Sequence, residues 1–474
     1  MRTRTLWPAA ALALAACATN PATGKTQLSF ISQSQEIAMG RDAAAQVDAS
    51  IGLYPDSALQ AYVQRVGARL AATSERPDLP WRFRVVDDQA VNAFALPGGF
   101  IYVTRGILAD LNNEAELASV IGHEIGHVTA RHSVNQASKA QLAQLGLAVG
   151  VLVKPELERY AGVAQAGLGL LFLKFSRDDE SQADQLGLRY MRRAGYDPRQ
   201  MPDVFTLLTR VSQTSGGSRV PEWLETHPDP ENRYATMSRA VAAIPPDSLG
   251  TIVDRAAYLR QIDGVVYGAD PRQGYFEGRE FIHPALAFRV RFPDGWQTAN
   301  QHDAVLGVSQ SQDAVLQISV AAEGTAAAAA QAFFAQGGVT GGAPTAIDLS
   351  GLPAAGGAFG ATTQDGTVLS GTVVFVAHRG TVLRLLGYAT AAGWSGYAAT
   401  VRRAIGSFTP VTDPAVLGVK PDRIRLVTLD RAMTLAEFAR RYPSTIPLEQ
   451  LALVNQAQAD TRLAAGDLVK RVTK

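Results

Sequence analysis

The sequence predicts a multidomain α+β protein: a mostly helical N-terminal region with a small sheet, then a small α+β domain, then a short βααβ module. Three observations carry this. Helical runs with capping signals dominate residues 31–266, alternating apolar and polar residues take over from about 280, and a strand–helix–helix–strand pattern follows residue 422. The 474 residues suffice for several cores, and 47% hydrophobic with 18% charged residues and a net charge of +1 is a globular composition. The sequence has no basic tract and no aromatic-basic alternation, so no nucleic-acid partner is expected.

The chain opens with "MRTRTLWPAAALALAAC". Two arginines precede a short apolar run, which reads as a secretory signal over 1–16 and is too short for a membrane span. Leu14-Ala15-Ala16-Cys17 resembles a bacterial lipobox, in which the cysteine is lipidated. Cys17 is the only cysteine, so a disulfide framework and thiolate metal ligands are excluded from the body. Ala18 follows it, with no aspartate to favour inner-membrane retention, so the expected address is the periplasmic side of the outer membrane. Residues 17–30 read as a lipidated tether. Gly24-Lys25-Thr26 lies within it and lacks the earlier glycine and the preceding strand of a phosphate loop.

Next in order, "VNAFALPGGFIYVTRGIL" (91–108) reads as a hairpin, with Phe94, Leu96, Phe100 and Tyr102 around a Pro97-Gly98-Gly99 turn. In "VIGHEIGHVTARH" (120–132), Asn113 and Glu116 supply an N-cap and its reciprocal partner, and Leu117, Val120, Ile121, Ile125 and Val128 recur at helical spacing. At about 100° per residue, His127 lies about 40° from His123 and one turn along, so two imidazoles converge on one ion. Glu124 lies about 100° from His123, beside the ligand face, where it can take a proton from water without coordinating. This is the physics of the His-Glu-x-x-His zinc motif. Projected the same way, His132 falls about 180° from His123 and reads as scaffold. The third ligand comes from elsewhere, and the best candidate is in "FSRDDESQADQLGLRYMRRAGYDP". Ser176 caps a helix that Gly195 and Asp197-Pro198 stop, and Glu180, Asp184, Gly187 and Met191 share one face. Glu180 completes a His, His, Glu set for one Zn2+ per chain. Asp184 can accept a hydrogen bond from a ligand imidazole and so fix its orientation.

"HEIGHVTARH", "SRDDESQAD" and "THPDPENR" together resemble the gluzincin metallopeptidases of the HtpX and CAAX prenyl protease type, in their periplasmic BepA-like lipoprotein branch. The resemblance covers about residues 25–265. It implies a zincin-type metalloprotease domain over 31–266, with His123, His127 and Glu180 as zinc ligands and Glu124 as catalytic base. It places His227 and Arg233 near the active site, the histidine able to approach the zinc and gate activity, the arginine to hold substrate or the oxyanion. It also implies that Asn92, Ala93, Phe94 and Ala95 form an edge strand that binds substrate backbone. The apolar stretches 145–153 and 161–173 fall short of a membrane span and read as core helices.

Beyond a Gly/Pro/Asp-rich break at 267–278, "AFRVRF" and "VLQISV" alternate, and "TVVFVAHRGTVLRLLGYA" reads as a hairpin turning at Arg379-Gly380. An Ala/Gly-rich segment (321–344) reads as a helix followed by a loop. Residues 279–410 make a small α+β domain that resembles the Mog1/PsbP-like fold. His283, His302 and His378 lack ligand spacing and read as structural or surface residues. Residues 422–474 resemble a LysM module, a type that commonly binds peptidoglycan, but carry Arg431-Ala432 where a Gly-Asp pair is usual.

The expected function is a zinc-dependent endopeptidase of the bacterial envelope. The resemblance implies misfolded or stalled envelope and outer-membrane proteins as substrates, with the outer membrane, peptidoglycan or the outer-membrane assembly machinery as partners. Two alternatives are a chaperone-like assembly factor with suppressed proteolysis and a peptidoglycan-binding scaffold with a vestigial zinc site.

Overall fold

A computed structural model describes residues 17–24, 26–144, 174–214, 226–227, 229–321, 324–363 and 366–474. The signal segment 1–16 and the apolar stretches 145–153 and 161–173 lie outside the described residues. The chain is mixed α+β and divides into two compact units, one of Met1–Gly268 with Asp422–Lys474, the other of Ala269–Pro421. No described helix is long and apolar enough to cross a membrane.

In the first unit, β1 (Cys17–Thr19) and β2 (Thr26–Leu28) pair antiparallel. The helices α1 (Gln33–Ser50) and α2 (Ser57–Ala71) start at the side-chain caps of Ser32 and Asp56. The strands β3 (Arg82–Val86), β4 (Ala93–Leu96) and β5 (Phe100–Thr104) then form a sheet of order β3-β5-β4. The expected hairpin is β4–β5, which pairs antiparallel, while β3 runs parallel to β5. Its turn needs glycine: Gly98 has φ +78°, and a Cβ there would sit 2.7 Å from Ile37 Cα. β4 is left at a sheet edge and lies against the helix that carries the metal motif.

That helix is α4 (Glu114–Thr129), which follows α3 (Arg105–Asp110). All residues from Ala115 to Thr129 are buried, so α4 is a core helix with no solvent face. Asn113 caps it, accepting from Glu116 N–H at 2.8 Å. The reciprocal half of the cap sits one residue earlier than the sequence suggests. Glu116 Oε2 accepts from Asn112 N–H at 2.7 Å, and Asn113 Nδ2 donates to Oε1 at 2.6 Å. Around α4 pack α5 (His132–Gln144), α6 (Arg177–Arg193), α7 (Met201–Thr214) and α9 (Arg255–Ile262), with α8 (Pro230–Ala242) laid mainly on α7. Their apolar faces meet in a core that includes Tyr62, Ile121, Ile125, Leu186, Tyr190 and Phe205.

Residues 422–474 belong to this same unit. Strands 423–428 and 468–473 pair antiparallel, with helices 435–441 and 448–454 between them. The segment has an apolar cluster of its own around Phe438 and Leu451, yet Ile424, Leu453 and Val472 enter the main core. Lys470 is fully buried, and its Nζ donates to the carbonyls of Ala109 and Leu111 at 2.8 and 2.9 Å, capping the C-terminal end of α3. Burial raises the Asp110 and Glu116 carboxyls beside it to about 6 and about 7 and lowers the Lys470 amine to about 7. Lys470→Ala leaves two buried carbonyls without their lysine donor. It is expected to cost about 1–3 kcal/mol, read as a lower urea midpoint for the unit holding α4.

In the second unit, strands alternate as the sequence predicts: Phe288, Val290 and Phe292 are buried, as are Leu316 and Ile318, while Val320 at the strand end is exposed. Strands 368–378 and 381–390 pair across Arg379-Gly380, both with positive φ, and helix 326–334 fills the Ala-rich segment. Two antiparallel sheets, of eight and four strands, enclose a core that includes Phe281, Phe288, Phe292 and Phe408.

Candidate metal centre

The site exists because α4 and α6 approach to backbone contact. Gly122 and Gly126 on α4 face Ala183 and Gly187 on α6, each pair one turn apart. A Cβ at Gly187 would meet His123 N at 2.9 Å and Gly122 C at 3.1 Å, and one at Gly126 would meet Ala183 O at 2.8 Å. These are backbone atoms that cannot swing aside. Gly187→Ala is therefore expected to push α6 from α4, at about 1–3 kcal/mol, and to carry Glu180 away from the histidines. The check is paired: a lower urea midpoint together with weaker Zn2+ binding. Unchanged values for both would contradict the close approach.

Across this seam, four buried side chains converge: His123, His127, Glu180 and His227, with one ligand-type atom of each within 4.8 Å of the others. His127 Nε2 lies 3.0 Å from His123 Nε2, and His227 Nδ1 lies 3.3 Å from His123 Nε2 and 3.0 Å from Glu180 Oε1. Glu180 oxygens stand 3.6 Å from His123 Nε2 and 3.4 Å from His127 Nε2. Tetrahedral zinc with bonds of about 2.0–2.2 Å sets its ligand atoms about 3.3–3.6 Å apart. The donor set fits.

Electrostatics lead to the same place. His123 Nδ1 donates to Asp184 Oδ1 at 2.8 Å, which leaves a lone pair on Nε2 facing the other donors. Lone pairs and a carboxylate crowded into a dry site repel unless a cation lies among them. Burial, then the neighbouring Arg233 charge, depresses His123 to about 3, and burial also depresses His127, so both are neutral ligands. Burial alone would raise Glu180 and Asp184. The adjoining His227 and His127 imidazoles hold Glu180 low, and Arg233 holds Asp184 low.

Glu124 is different. Burial, then the charge of Glu180, lifts its carboxyl well above the usual range. Its Oε1 is buried and makes no hydrogen bond among the described residues, and His227 Nε2 stands 3.7 Å away. This is a carboxylate beside the ligands rather than among them. Arg233 is buried and committed to the two neighbouring carboxylates: Nε and Nη2 reach both oxygens of Asp184 at 2.8 and 2.7 Å, and Nη1 lies 2.9 Å from Glu180 Oε2. Through these contacts it ties helix α6 to α8. Asn92 is buried, with Oδ1 unbonded among the described residues, and Ala93–Ala95 lie in the edge strand β4. Cys17 begins β1.

His132 departs from the projection. It is not in the ligand cluster, but it is buried, and its Nδ1 lies 3.0 Å from His127 Nδ1. A separation of about 180° from His123 requires one continuous helix. In fact α4 ends at Thr129, Arg131 adopts φ +59°, and α5 starts afresh at His132. Glu36 and the Ile31 carbonyl hold the Arg131 guanidinium at this break, at 2.9 and 2.6 Å.

Residues 57–241 match the sequence model described as peptidase family M48. This segment is an M48 peptidase domain. It contains every residue of the metal cluster and its surroundings named above except Glu36, Ile31 and Cys17. The chain is 32% identical over 259 residues to the beta-barrel assembly-enhancing protease of Yersinia pestis, covering 53% of this chain and 52% of that one. To the protein of the same name from Escherichia coli (strain K12) it is 34% identical over 226 residues, 46% of each chain. To the mitochondrial metalloendopeptidase OMA1 of Arabidopsis thaliana the M48-type likeness is 39% over 171 residues, 36% of this chain and 33% of that one. The chain spans about half the length of the assembly-enhancing proteases it matches. Among solved structures, cyanobacterial PsbP from Synechocystis sp. PCC 6803 is similar at a TM-score of 0.24 and 14% identity, covering 29% of this chain and 98% of that one. That score is too low to assign a fold.

Proposed function

We propose that this chain is a zinc-dependent endopeptidase of the bacterial envelope that hydrolyses peptide bonds of misfolded or stalled envelope proteins. The observation that carries the proposal is the convergence of His123, His127 and Glu180 at zinc-ligand spacing, with Glu124 Oε1 beside them and without a hydrogen bond among the described residues. Zinc held there would supply Lewis acidity to the scissile carbonyl and lower the pKa of water. The chain's own part is to place Glu124 so that it takes a proton from the attacking water and passes it to the leaving amine. Asp184 orients His123 through Nδ1, and Arg233 balances the charge of Asp184 and Glu180. The open edge of β4, with Asn92–Ala95, suits an extended substrate added as a further strand, a mode that reads backbone and tolerates varied side chains. The similarity to proteases named for enhancing β-barrel assembly supports outer-membrane proteins as the substrate class.

Lipidation of Cys17, an outer-membrane anchor and a LysM-like role for 422–474 are parts of the same proposal. The strand–helix–helix–strand order of 422–474 supports the last, while its packing on α3 supports a structural duty as well. One observation favours a latent resting state, and with it a chaperone-like role: His227 Nδ1 stands among the ligand atoms.

The test is digestion of casein or an unfolded outer-membrane protein by the full chain. Cleavage is expected to stop with a chelator and to return with stoichiometric Zn2+. Inactivity insensitive to chelator, with tight binding to peptidoglycan sacculi, would favour the scaffold instead.

A further inference from the structure

We propose that His132 is a positioning residue that orients the ligand imidazole of His127, at one end of a hydrogen-bond chain running through Gln182 to Asn20. The inference rests on the zinc reading above. His127 Nε2 faces the donor cluster, 3.0 Å from His123 Nε2 and 3.4 Å from Glu180 Oε1. A nitrogen that binds a cation there cannot carry a proton, so the ring hydrogen sits on Nδ1. That Nδ1 lies 3.0 Å from His132 Nδ1, which must accept. His132 then carries its hydrogen on Nε2, and this atom is 2.8 Å from Gln182 Oε1, an acceptor. The same oxygen takes a hydrogen from Asn20 Nδ2 at 3.5 Å, and that amide also donates to the Ala130 carbonyl at 3.1 Å, beside the break between α4 and α5. Every donor in the chain has an acceptor: the two imidazole N–H groups point toward Gln182, and the Asn20 amide donates to the same Gln182 oxygen from the other side.

The two ligand histidines are thus held from behind by different chemistry. His123 has a carboxylate, Asp184, itself paired with Arg233. His127 has an imidazole, His132, whose Nε2 lies 2.8 Å from the Gln182 carboxamide and 3.5 Å from the Asp179 carboxylate. Phe175 closes the same pocket, its ring centroid 4.0 Å from that of His127 and 6.0 Å from that of His132. The arrangement also ties the metal site to the segment that follows Cys17, because Asn20 lies in the turn between β1 and β2.

The test uses the full chain, with Zn2+ affinity read by competition against a chromophoric chelator, the visible absorption of the Co2+-substituted protein, and thermal unfolding without metal. Removing the outer partner of a metal-bound histidine typically costs 10–100-fold in metal affinity. His132→Ala is expected to lose about that much and to shift the Co2+ bands, whereas His132→Gln, which keeps an acceptor, recovers most of the affinity. A purely structural role would lower the metal-free unfolding temperature and leave the affinity and the Co2+ bands of the folded protein unmoved, and that result overturns the proposal. So does an equal loss in His132→Gln. Where His132→Ala does not fold, Gln182→Ala decides: weaker Zn2+ binding supports the chain, wild-type binding overturns it. A wild-type chain that binds no Zn2+ removes the zinc reading itself, and this inference with it.

Discussion

Glu124→Gln is expected to leave the protein folded and Zn2+ bound while casein hydrolysis falls by about 10²–10⁴-fold or more. The substitution keeps the side chain's size in a site where it is 1% exposed, and it removes only the group that accepts a proton. Glu124 is well suited to that task because its Oε1 is buried and has no hydrogen bond among the described residues. Burial and Glu180 raise its pKa, and a divalent cation held among the ligands would oppose both effects. A base poised near the working pH accepts a proton from water and can still release it. The measurement is the initial rate of peptide release by metal-loaded wild type and variant, with bound zinc quantified in both. A fully active variant would sink the assignment, and loss of zinc would show that Glu124 serves the ligand set instead.

The ligands were legible in the sequence because they obey one helical period. His123 and His127 lie one turn apart on α4, and Glu180 and Asp184 lie one turn apart on α6. Ser176 and Gly195 bounded α6 as their chemistry requires, the first as N-cap and the second at φ +83°. What failed was extrapolation across a chain break, since one left-handed residue, Arg131, redirects His132 to the back of His127. A non-glycine positive φ is not readable from the sequence at that position. The Gly122/Gly126 and Ala183/Gly187 seam had a visible signal, small residues four apart on both helices, but which surfaces meet is a tertiary fact. Lys470 had none. A lysine near a chain end reads as solvent-facing, and only the fold places it under α3.

His227→Ala is expected to raise turnover per bound zinc while weakening zinc retention. Its Nδ1 stands with the three other donors and its Nε2 faces Glu124 at 3.7 Å, so the imidazole fills the space that water and a scissile carbonyl need. Four protein ligands make a closed zinc site, and hydrolysis requires three with an open position. On the proposed function, cleavage would then proceed only from molecules in which His227 has left. If the closed arrangement holds about nine-tenths of the molecules, removing the imidazole raises the rate about tenfold at saturating zinc, equivalent to about 1.4 kcal/mol. Loss of one ligand acts in the opposite direction at low zinc, where occupancy limits the rate. The two effects separate in a zinc titration of casein hydrolysis: the variant should need more metal to reach a higher plateau. A lower plateau with the metal fully bound would instead make His227 a participant in catalysis. Arg233 holds Asp184 and Glu180 at 2.7 and 2.9 Å independently of His227, so Glu180 keeps this support in the variant.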